Sequence, residues 1–472
     1  MHKLPLRILQ LNMVDARGGA ARVARDIHRI YRSRGIRSWM AVRIKFSSDA
    51  DVFQIPNDSL RSPLARFWLS VWNKIPSHSK GKSALKFRNI LFRVARPRWA
   101  WNDWWGLEDL DYPATLDILN LPPEKPDLIH GHNLHLGYFD LRALPWLSHQ
   151  IPLFLTLHDA WLLTGHCAYP FDCERWLSGC GFCPYLSSYP PVKRDSTMYN
   201  WQRKRTIFEN SKLYVAAPSR WLLGMAERSI LSLGIVESRV VHNGIDLTIF
   251  HPSDQSSARR ALGLPHSDPI LLFTAHWVRI NFQKDYSTLR QAIELLADRV
   301  GIRKIICIAL GDDQPSEHVE SAGSIEIHFI PYQDDIKKMP LYYQAADIYV
   351  HATRADNLPN TISEALACGK PVIASAVGGI PEQIRGLENA PGILGRYGLD
   401  EATGILVPPE DAVSMADAID FLLSHDLQRL RLGKNAAGDA RQRFDLEQQS
   451  SVYLKWYEEI LDRSNHAASD SK

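Results

Sequence analysis

The segment that decides the fold is residues 347–384, which read DIYVHATRADNLPNTISEALACGKPVIASAVGGIPEQI. Residues 347–352 form an apolar run typical of a buried strand, and residues 353–357 form a polar loop. A helix is predicted to start near Pro359, where a first-turn proline is tolerated, and to end at Gly369. Residues 371–376 predict another strand. This order is typical of a parallel sheet covered by helices.

The same alternation of strand and helix fills two stretches of the chain. Strands are predicted at 7–13, 39–44, 128–130, 152–158 and 213–217, and then at 270–275, 304–310, 325–330, 347–352, 371–376 and 404–407. We therefore expect an α/β protein with two Rossmann-like, doubly wound parallel-sheet domains that face each other across a crevice.

The predicted domains divide the chain near its middle. Residues 1–243 form an N-terminal domain, with insertions at 49–115 and 163–195, and residues 244–444 form a C-terminal domain. Residues 445–462 are predicted to be an amphipathic helix that crosses back to the N-terminal domain. Residues 463–472 are predicted to be a disordered polar tail.

Composition narrows the class of protein. The chain has 472 residues, of which 45% are apolar and 23% are charged, as in ordinary globular proteins. Its net charge of +3 is too small to indicate a polyanionic partner. The N-terminal apolar stretch is too short for a signal peptide, and no run approaches the roughly 20 residues of a membrane span. We expect a cytoplasmic protein.

Two acidic residues of the opening segment are candidate ligand contacts. Asp356 lies in the loop before the predicted helix, and Glu364 lies about a turn and a half into it. The helix start offers free N–H groups to a diphosphate, and carboxylates accept hydrogen bonds from hydroxyl groups. Either acid alone would be interpreted as a loop or solvated helix residue. Together with the turn at 377–382 they predict a nucleotide-sugar site.

The segment resembles the donor-binding signature of glycosyltransferase family 4, which are retaining enzymes with the GT-B fold. Glu364 matches the second acid and residues 367–372, ACGKPV, match the end of the motif, whereas Asp356 stands where the family usually has glutamate. By this resemblance Glu364 would bind the ribose and Asp356 the transferred sugar. The other donor-binding residues in the motif would be Asn357, Leu358, Pro359, Asn360 and Thr361.

The resemblance extends to the phosphate-binding residues. Lys284 matches a family lysine, and the matching arginine is Arg279, although His276 stands near the same place. Gly18 and Gly19 resemble the N-terminal glycine loop that would face the donor phosphates. Without the resemblance, Lys284 is equally well explained as a solvated surface lysine.

His158 is the second candidate catalytic residue beside Asp356. It ends a predicted buried strand, where a lone histidine is usually structural. The resemblance instead places His158 near the anomeric carbon. It implies a retaining, hexosyltransferase-type reaction that needs no metal, in which the leaving phosphate takes the acceptor proton. Stabilising the departing diphosphate would be the main catalytic effect.

Four of the six cysteines are close together in the sequence, namely Cys167, Cys173, Cys180 and Cys183. In a cytoplasmic chain a structural zinc site with four thiolates is more plausible than disulfides. The alternative is a set of reduced, packed cysteines. The surrounding residues resemble a subgroup of the family found in colanic acid and other exopolysaccharide pathways.

Residues 61–98 contain ten Lys or Arg residues and no Asp or Glu. Tryptophans lie within and just after this segment, so residues 61–105 could dock on an anionic membrane surface. The alternative is an insertion whose aromatic residues pack on the N-terminal domain. Nucleic acid is not an expected partner, since no nucleic-acid-binding motif accompanies the charge.

The function expected from these features is transfer of a sugar from a nucleotide-sugar donor to a glycan or polyprenyl-diphosphate-linked acceptor. The resemblance implies exopolysaccharide, O-antigen or capsule synthesis, with the enzyme peripheral on the inner face of the plasma membrane. Two alternatives remain at this point: a non-catalytic nucleotide-sugar-binding protein, for which Asp356 is the only hint, and a GT-B relative such as a nucleotide-sugar epimerase.

Overall fold

The computed structural model describes residues 5–16, 18–75, 82–135, 137–300, 304–333, 335–390 and 395–470. The chain divides into two compact units. Unit 1 comprises Met1–Ala217, Leu222–Val240 and Leu454–Lys472, and unit 2 comprises Pro218–Trp221 and Val241–Tyr453. The passage from one unit to the other after Val240 falls next to the predicted boundary at 243.

Unit 1 contains a seven-stranded sheet in which all neighbouring strands are parallel. Its strands are β1 (Arg7–Val14), β2 (Arg37–Ile44), β3 (Val52–Gln54), β4 (Leu128–Gly131), β5 (Leu153–Thr156), β6 (Leu213–Ala217) and β7 (Ile235–Val240). They are arranged in the order β3-β2-β1-β4-β5-β6-β7. The central strands are buried along almost their whole length, as expected where both faces of a parallel sheet are covered.

Seven helices are assigned between the strands of this sheet. They are α1 (Gly19–Ser33), α2 (Pro63–Asn73), α3 (Lys82–Ala95), α4 (Pro97–Trp105), α5 (Leu144–Gln150), α6 (Thr197–Glu209) and α7 (Arg220–Arg228). Helices α2 and α3 lie within the basic segment at residues 61–98. The first two residues of α7 group with unit 2.

Unit 2 contains a second seven-stranded sheet. Its strands are β8 (Ile270–Thr274), β9 (Ile305–Asp312), β10 (His318–Ala322), β11 (Ile325–Pro331), β12 (Ile348–His351), β13 (Val372–Ser375) and β14 (Gly404–Val407). The order is β10-β11-β9-β8-β12-β13-β14, and every pair is parallel except the edge hairpin β10–β11.

The helices of unit 2 flank this sheet and its two apolar cores. They are α8 (Gln255–Ala261), α9 (Tyr286–Val300), α10 (Met339–Ala345), α11 (Asn360–Ala367), α12 (Ile380–Gln383), α13 (Ala412–Ser424), α14 (Asp426–Arg443) and the start of α15 (Leu446–Asp470). The two sheets with their helices are the predicted α/β class with Rossmann-like domains.

Helix α15 corrects the predicted C-terminus. It continues to Asp470 instead of ending at 462, so the structure does not show the disordered tail predicted for 463–472; residues 471 and 472 lie outside the described part. Arg463, which lies just beyond the predicted end of the helix, pairs with Glu237 at 2.7 Å. Trp456 and Tyr457 group with unit 1 and pack edge-on against Phe154, with ring centroids 5.1 and 4.7 Å away.

Two further sequence predictions differ from the structure. The strand predicted at 152–158 ends at Thr156, so His158 lies in the loop beyond β5. Strands β3, β7 and β10 do not correspond to any predicted strand, because they are edge strands with mixed burial. No helix in the described part of the chain is both long and apolar enough to span a bilayer.

Candidate active site

An ion pair in unit 2 joins two of the predicted site residues. Lys284 ends a short 3-10 turn in the loop after β8, and Asp356 lies in the loop after β12. The Lys284 ammonium donates to Asp356 Oδ2, and a hydrogen bond of 3.3 Å joins the same oxygen to His351 Nε2. Burial acts to raise the pKa of Asp356, but Lys284 and His351 outweigh it and hold that pKa well below its usual range.

A buried chain of hydrogen bonds supports the Lys284–Asp356 pair through His351. The Thr274 hydroxyl lies 2.8 Å from the Tyr349 hydroxyl, which lies 3.1 Å from His351 Nδ1. Because Tyr349 and His351 are two residues apart on β12, their side chains point to the same face of the sheet. His351 is thereby held between Tyr349 and Asp356. The sequence interpretation missed this support, whose only signal was two polar side chains in an apolar strand.

Glu364 is fully enclosed on the inner side of α11. It is 1% exposed, and the Tyr343 hydroxyl donates to its Oε2 at 2.6 Å. Burial, together with the charge of Glu364, raises the pKa of Tyr343 well above its ordinary value, so the phenol remains a donor. Glu364 is therefore a positioned carboxylate and not a solvated helix residue.

The loop that carries Asp356 packs closely on the turn at 377–382. Gly378 has a positive φ of 56°, and a Cβ there would lie 1.8 Å from the Asp356 carbonyl oxygen. Gly379 donates its N–H to the Asn357 carbonyl at 2.8 Å, and Ser219 donates its hydroxyl to Asn357 Oδ1 at 2.6 Å. Only glycine permits such an approach, which holds the loop in one conformation.

The remaining residues of the motif form the start of α11. Leu358 is buried in the apolar core of unit 2, and Pro359 precedes the first helical residue. Asn360 opens the helix and accepts a 3.1 Å hydrogen bond from Asn243, and Thr361 follows it. The first-turn N–H groups of α11 therefore lie directly after the loop of Asp356.

Arg279 is engaged elsewhere in unit 2. Its guanidinium forms two 3.0 Å bonds to the Asp312 carboxylate, and it lies 5.1 Å from the centroid of the Phe329 ring. The Asp312 side chain is 0% exposed, so this buried charge needs the arginine as its partner. His276, the other candidate, stacks on Trp277 at 4.7 Å. A phosphate-binding role for Arg279 stays a prediction.

In unit 1, His158 belongs to a cluster of histidines that the sequence interpretation did not foresee. A 3.1 Å hydrogen bond joins His158 Nε2 to His132 Nδ1. His130 bonds to Thr156 at 2.7 Å and to the Tyr457 hydroxyl at 2.6 Å. Burial lowers the pKa of His158 to about 4 and that of His130 to about 3, so both rings are neutral at pH 7. The motif His-Gly-His at the end of β4, residues 130–132, was the available signal.

The glycine loop of unit 1 joins β1 to α1. Gly18 has a φ of 92°, a left-handed conformation that favours glycine, and Gly19 is the first residue of α1. Gly18 accepts a 3.1 Å hydrogen bond from the Arg22 N–H, which closes the first turn. A Cβ at Gly18 would meet no atom within 4 Å, so the conformation and not a close approach requires this glycine.

The four neighbouring cysteines are free thiols that line one small cavity with His166. Cys183 Sγ lies 3.4 Å from His166 Nε2, and Gly165 donates its N–H to Cys180 Sγ at 3.3 Å. Within the described residues, no three His, Cys, Asp or Glu side chains converge closely enough to hold a metal ion. The structure thus brings the four thiols together without forming a closed site.

Two sequence families cover most of the chain. Residues 17–249 match the family described as Glycosyltransferase Family 4, and residues 254–439 match the family described as Glycosyl transferases group 1. The chain therefore belongs to the glycosyltransferases, with a family 4 domain followed by a group 1 domain. The sequence resemblance to family 4 is confirmed.

Two relatives of similar sequence carry glycosyltransferase names. The chain is 26% identical over 382 residues to the putative colanic acid biosynthesis glycosyl transferase WcaC of Escherichia coli, covering 78% of this chain and 83% of that protein. It is 30% identical over 333 residues to the D-inositol 3-phosphate glycosyltransferase of Mycobacterium tuberculosis, covering 67% of this chain. The match spans 60% of that relative's length.

Solved structures share the architecture. Sucrose-phosphate synthase from Thermosynechococcus elongatus superposes with a TM-score of 0.61 at 19% identity, covering 97% of this chain and 100% of that one. Anabaena HepE in complex with UDP and glucose gives 0.60 at 17% identity, covering 95% and 98%. WaaG, a glycosyltransferase involved in lipopolysaccharide biosynthesis, gives 0.57 at 15%, covering 94% and 98%. The fold class is GT-B, as predicted.

Proposed function

We propose that this glycosyltransferase is a retaining hexosyltransferase that needs no metal for catalysis and uses a nucleotide-sugar donor. The observation that carries the proposal is the Lys284–Asp356 pair beside the start of α11, with the buried carboxylate of Glu364 on the same helix. The HepE structures contain UDP, UDP-glucose or UDP with glucose, which supports a nucleotide-sugar donor for a chain of the same fold.

Each group has a role that its chemistry suits. The first-turn N–H groups of α11 and the Lys284 ammonium bind the diphosphate and stabilise the charge that develops as it leaves. Glu364, held by Tyr343, accepts hydrogen bonds from the ribose hydroxyls. Asp356 is ionised and accepts hydrogen bonds from the transferred sugar once the donor phosphates engage Lys284.

His158 acts in this proposal as a neutral positioning group near the anomeric carbon. Its lowered pKa means that it does not carry a positive charge at pH 7. The departing phosphate takes the acceptor proton on the same face of the sugar, which retains the anomeric configuration. His158→Ala is expected to fold and to lose transfer; near-normal turnover in that variant would remove His158 from the mechanism.

The donor is identified by measuring thermal shifts with UDP-, GDP- and ADP-sugars. One of these series should stabilise the wild type and leave Glu364→Ala unshifted, because the ribose contact is lost. Product anomers are then assigned by NMR, and the same reaction is run with excess EDTA. An inverted anomer or loss of turnover with EDTA would contradict the retaining or metal-independent part of the proposal.

The acceptor is a glycan or a polyprenyl-diphosphate-linked glycan in exopolysaccharide, O-antigen or capsule synthesis. The similarity to a colanic acid biosynthesis enzyme over 83% of its length supports this class of acceptor. A lipid-linked acceptor would place the enzyme at the inner face of the plasma membrane. Incorporation of labelled sugar into a lipid extract or into free glycan distinguishes the two forms.

A structural Zn²⁺ held by Cys167, Cys173, Cys180 and Cys183 is the remaining part of the proposal. Thiolates are suitable zinc ligands, and the four thiols share one cavity, although they would have to move closer to bind an ion. Such an ion would tie the loop together and take no part in transfer.

Metal analysis of the purified protein tests this site. We expect about one equivalent of zinc, lost in Cys180→Ser/Cys183→Ser and kept in the control Cys307→Ala, whose thiol is buried in β9. Less than about a tenth of an equivalent in the wild type would contradict a closed zinc site.

A further inference from the structure

Helices α2, α3 and α4 present an unusual amount of apolar surface. Leu64 and Phe67 on α2 are 68% and 58% exposed, Ile90 on α3 is 56% exposed, and Trp101 on α4 is 63% exposed. The same helices also expose Leu85, Phe87, Val94, Trp104 and Trp105. Contiguous exposed apolar side chains of this kind mark interaction sites. We call these three helices and their exposed residues the α2–α4 surface.

The spacing puts these side chains in stripes. Phe87, Ile90 and Val94 are separated by three and four residues and therefore lie on one face of α3. Trp101 and Trp105 are four residues apart on α4, with their rings 5.8 Å apart. Apolar side chains gathered on one face are typical of helices that lie in a membrane interface.

Packing within the insertion leaves this face uncovered. Leu69 and Leu91 are buried, and Trp72 contacts Phe92 with ring centroids 5.1 Å apart. Phe92 in turn lies 4.8 Å from the ring of Trp99. These contacts form the inner side of the α2–α3 hairpin and its join to α4. Some aromatic residues of this segment are therefore packed inside the protein and others are exposed. Neither membrane docking nor packing alone describes all of them.

The basic residues divide in the same way. Arg61 and Arg96 are structural, because they pair with Asp111 at 2.8 Å and with Asp109 at 2.6 Å. Arg88 lies 4.2 Å over the Trp72 ring. Residues 76–81 and the side chain of Lys82 lie outside the described part of the insertion.

Five cations remain on the α2–α4 surface. Arg66, Lys74, Lys86, Arg93 and Arg98 are exposed, and no described residue forms an ion pair with them. Lys86 and Arg93 border the apolar stripe of α3, since they lie four residues before and three residues after Ile90 on the same helix. Exposed cations beside exposed aromatic and aliphatic side chains match a surface that is negatively charged outside and apolar beneath.

We propose that the α2–α4 surface docks on the headgroup region of an anionic lipid bilayer. The apolar side chains enter the acyl boundary, and the five unpaired cations contact lipid phosphates. This inference rests on exposure and charge in unit 1 and does not depend on sugar transfer. It supplies the means by which the enzyme would remain at the surface that holds a lipid-linked acceptor.

Co-sedimentation of the full chain with phosphatidylcholine vesicles, with and without phosphatidylglycerol, tests the proposal. Binding should require the anionic lipid and weaken as salt is raised. Because one cation near an anionic surface contributes about fivefold in affinity, Lys86→Gln/Arg93→Gln should bind roughly 25-fold more weakly. The matched control Lys434→Gln/Arg441→Gln removes two exposed cations of α14 and should bind as the wild type does.

The apolar contribution is tested by Phe67→Ser/Ile90→Ser against Leu427→Ser/Leu430→Ser, two exposed leucines of α14. The first pair should lose most vesicle binding, and the second should not. Equal binding to neutral and anionic vesicles, or unchanged binding in Phe67→Ser/Ile90→Ser, would overturn the proposal. So would a wild-type dimer that Phe67→Ser/Ile90→Ser dissociates, since a second copy would then cover this surface. Donor thermal shifts, measured without lipid, report separately on the proposed function.

Discussion

Replacing Lys284 with methionine separates the structural and catalytic parts of the account. The substitution removes the ammonium group and keeps an unbranched side chain that is shorter by one atom. Asp356 then keeps its hydrogen bond to His351, but loses the cation that keeps it ionised in a mostly buried position. The Lys284 and Asp356 side chains are 22% and 12% exposed, so water compensates only in part.

Lys284→Met should change both the free energy of unfolding and kcat. Removing one partner of a buried ion pair costs about 3–5 kcal/mol, and partial exposure reduces this to about 2 kcal/mol here. Losing one preorganised positive group on the departing phosphate lowers kcat by about 10²–10³-fold. The double variant Lys284→Met/Asp356→Asn leaves no unpaired charge, so most of the stability should return while turnover stays lost.

Urea unfolding and steady-state turnover measure these two effects on the same preparations. Lys434→Met, on an exposed lysine of α14, controls for the loss of a positive charge. If the double variant is as unstable as the single one, the pair does not interact as described. Turnover of Lys284→Met within tenfold of the wild type would refute the role assigned to the lysine.

Three further predictions address the supporting contacts. Gly378→Ala should cost about 2 kcal/mol or more in thermal unfolding, whereas Gly263→Ala, with a similar φ of 68° but open space, should cost about 1 kcal/mol. Tyr343→Phe should destabilise by about 1.5–3 kcal/mol and weaken donor binding in calorimetry, because Glu364 loses its hydrogen bond. Because the folded pKa of His158 is about 4, stability should rise with pH between 4 and 6.5, and His158→Gln should reduce that slope by up to about 1.4 kcal/mol per pH unit. Equal costs at the two glycines, unchanged donor affinity, or an unaltered slope would contradict the respective prediction.

The fold and the core of the candidate site were predictable because their signals are local. The strand, loop and helix around Asp356 are encoded in one continuous segment, with a proline at the helix start and a glycine after its end. Apolar runs located most strands within a few residues. The family resemblance placed Lys284 and Asp356 each in the donor site, but their ion pair was not predicted. The pair forms because β8 and β12 are neighbouring parallel strands, whose carboxyl-end loops lie at one edge of the sheet.

Features that depend on distant residues were not predictable in this way. His351 is supported through Tyr349 by Thr274 of β8, and Tyr343 reaches Glu364 from α10. The spacing of apolar and polar residues in the sequence does not indicate such contacts. The division of the cations of residues 61–98 into paired and unpaired ones likewise depends on Asp109 and Asp111, which lie beyond that segment in sequence.

A contact with a distant residue also decides where the side chain of Arg279 lies. Arg279 stands near the expected place in the sequence, but the structure joins it to Asp312 at the end of β9. The need to neutralise a fully buried carboxylate decides where the guanidinium lies. A match to a motif position therefore does not by itself place the side chain on a ligand, and the phosphate-binding role of Arg279 stays a prediction.

The most direct test of the donor site at residues 356–369 is release of nucleoside diphosphate from a nucleotide sugar. The rate of release is compared between the wild type and Glu364→Ala at matched folded fractions. We expect the wild type to release the diphosphate, with or without an acceptor. Glu364→Ala should do so at least about 100-fold more slowly, which is the rate loss expected when one positioned charged contact is removed. Equal rates in the two proteins would contradict the donor site at residues 356–369. Binding of donor by the wild type without any release would instead support a non-catalytic nucleotide-sugar-binding protein.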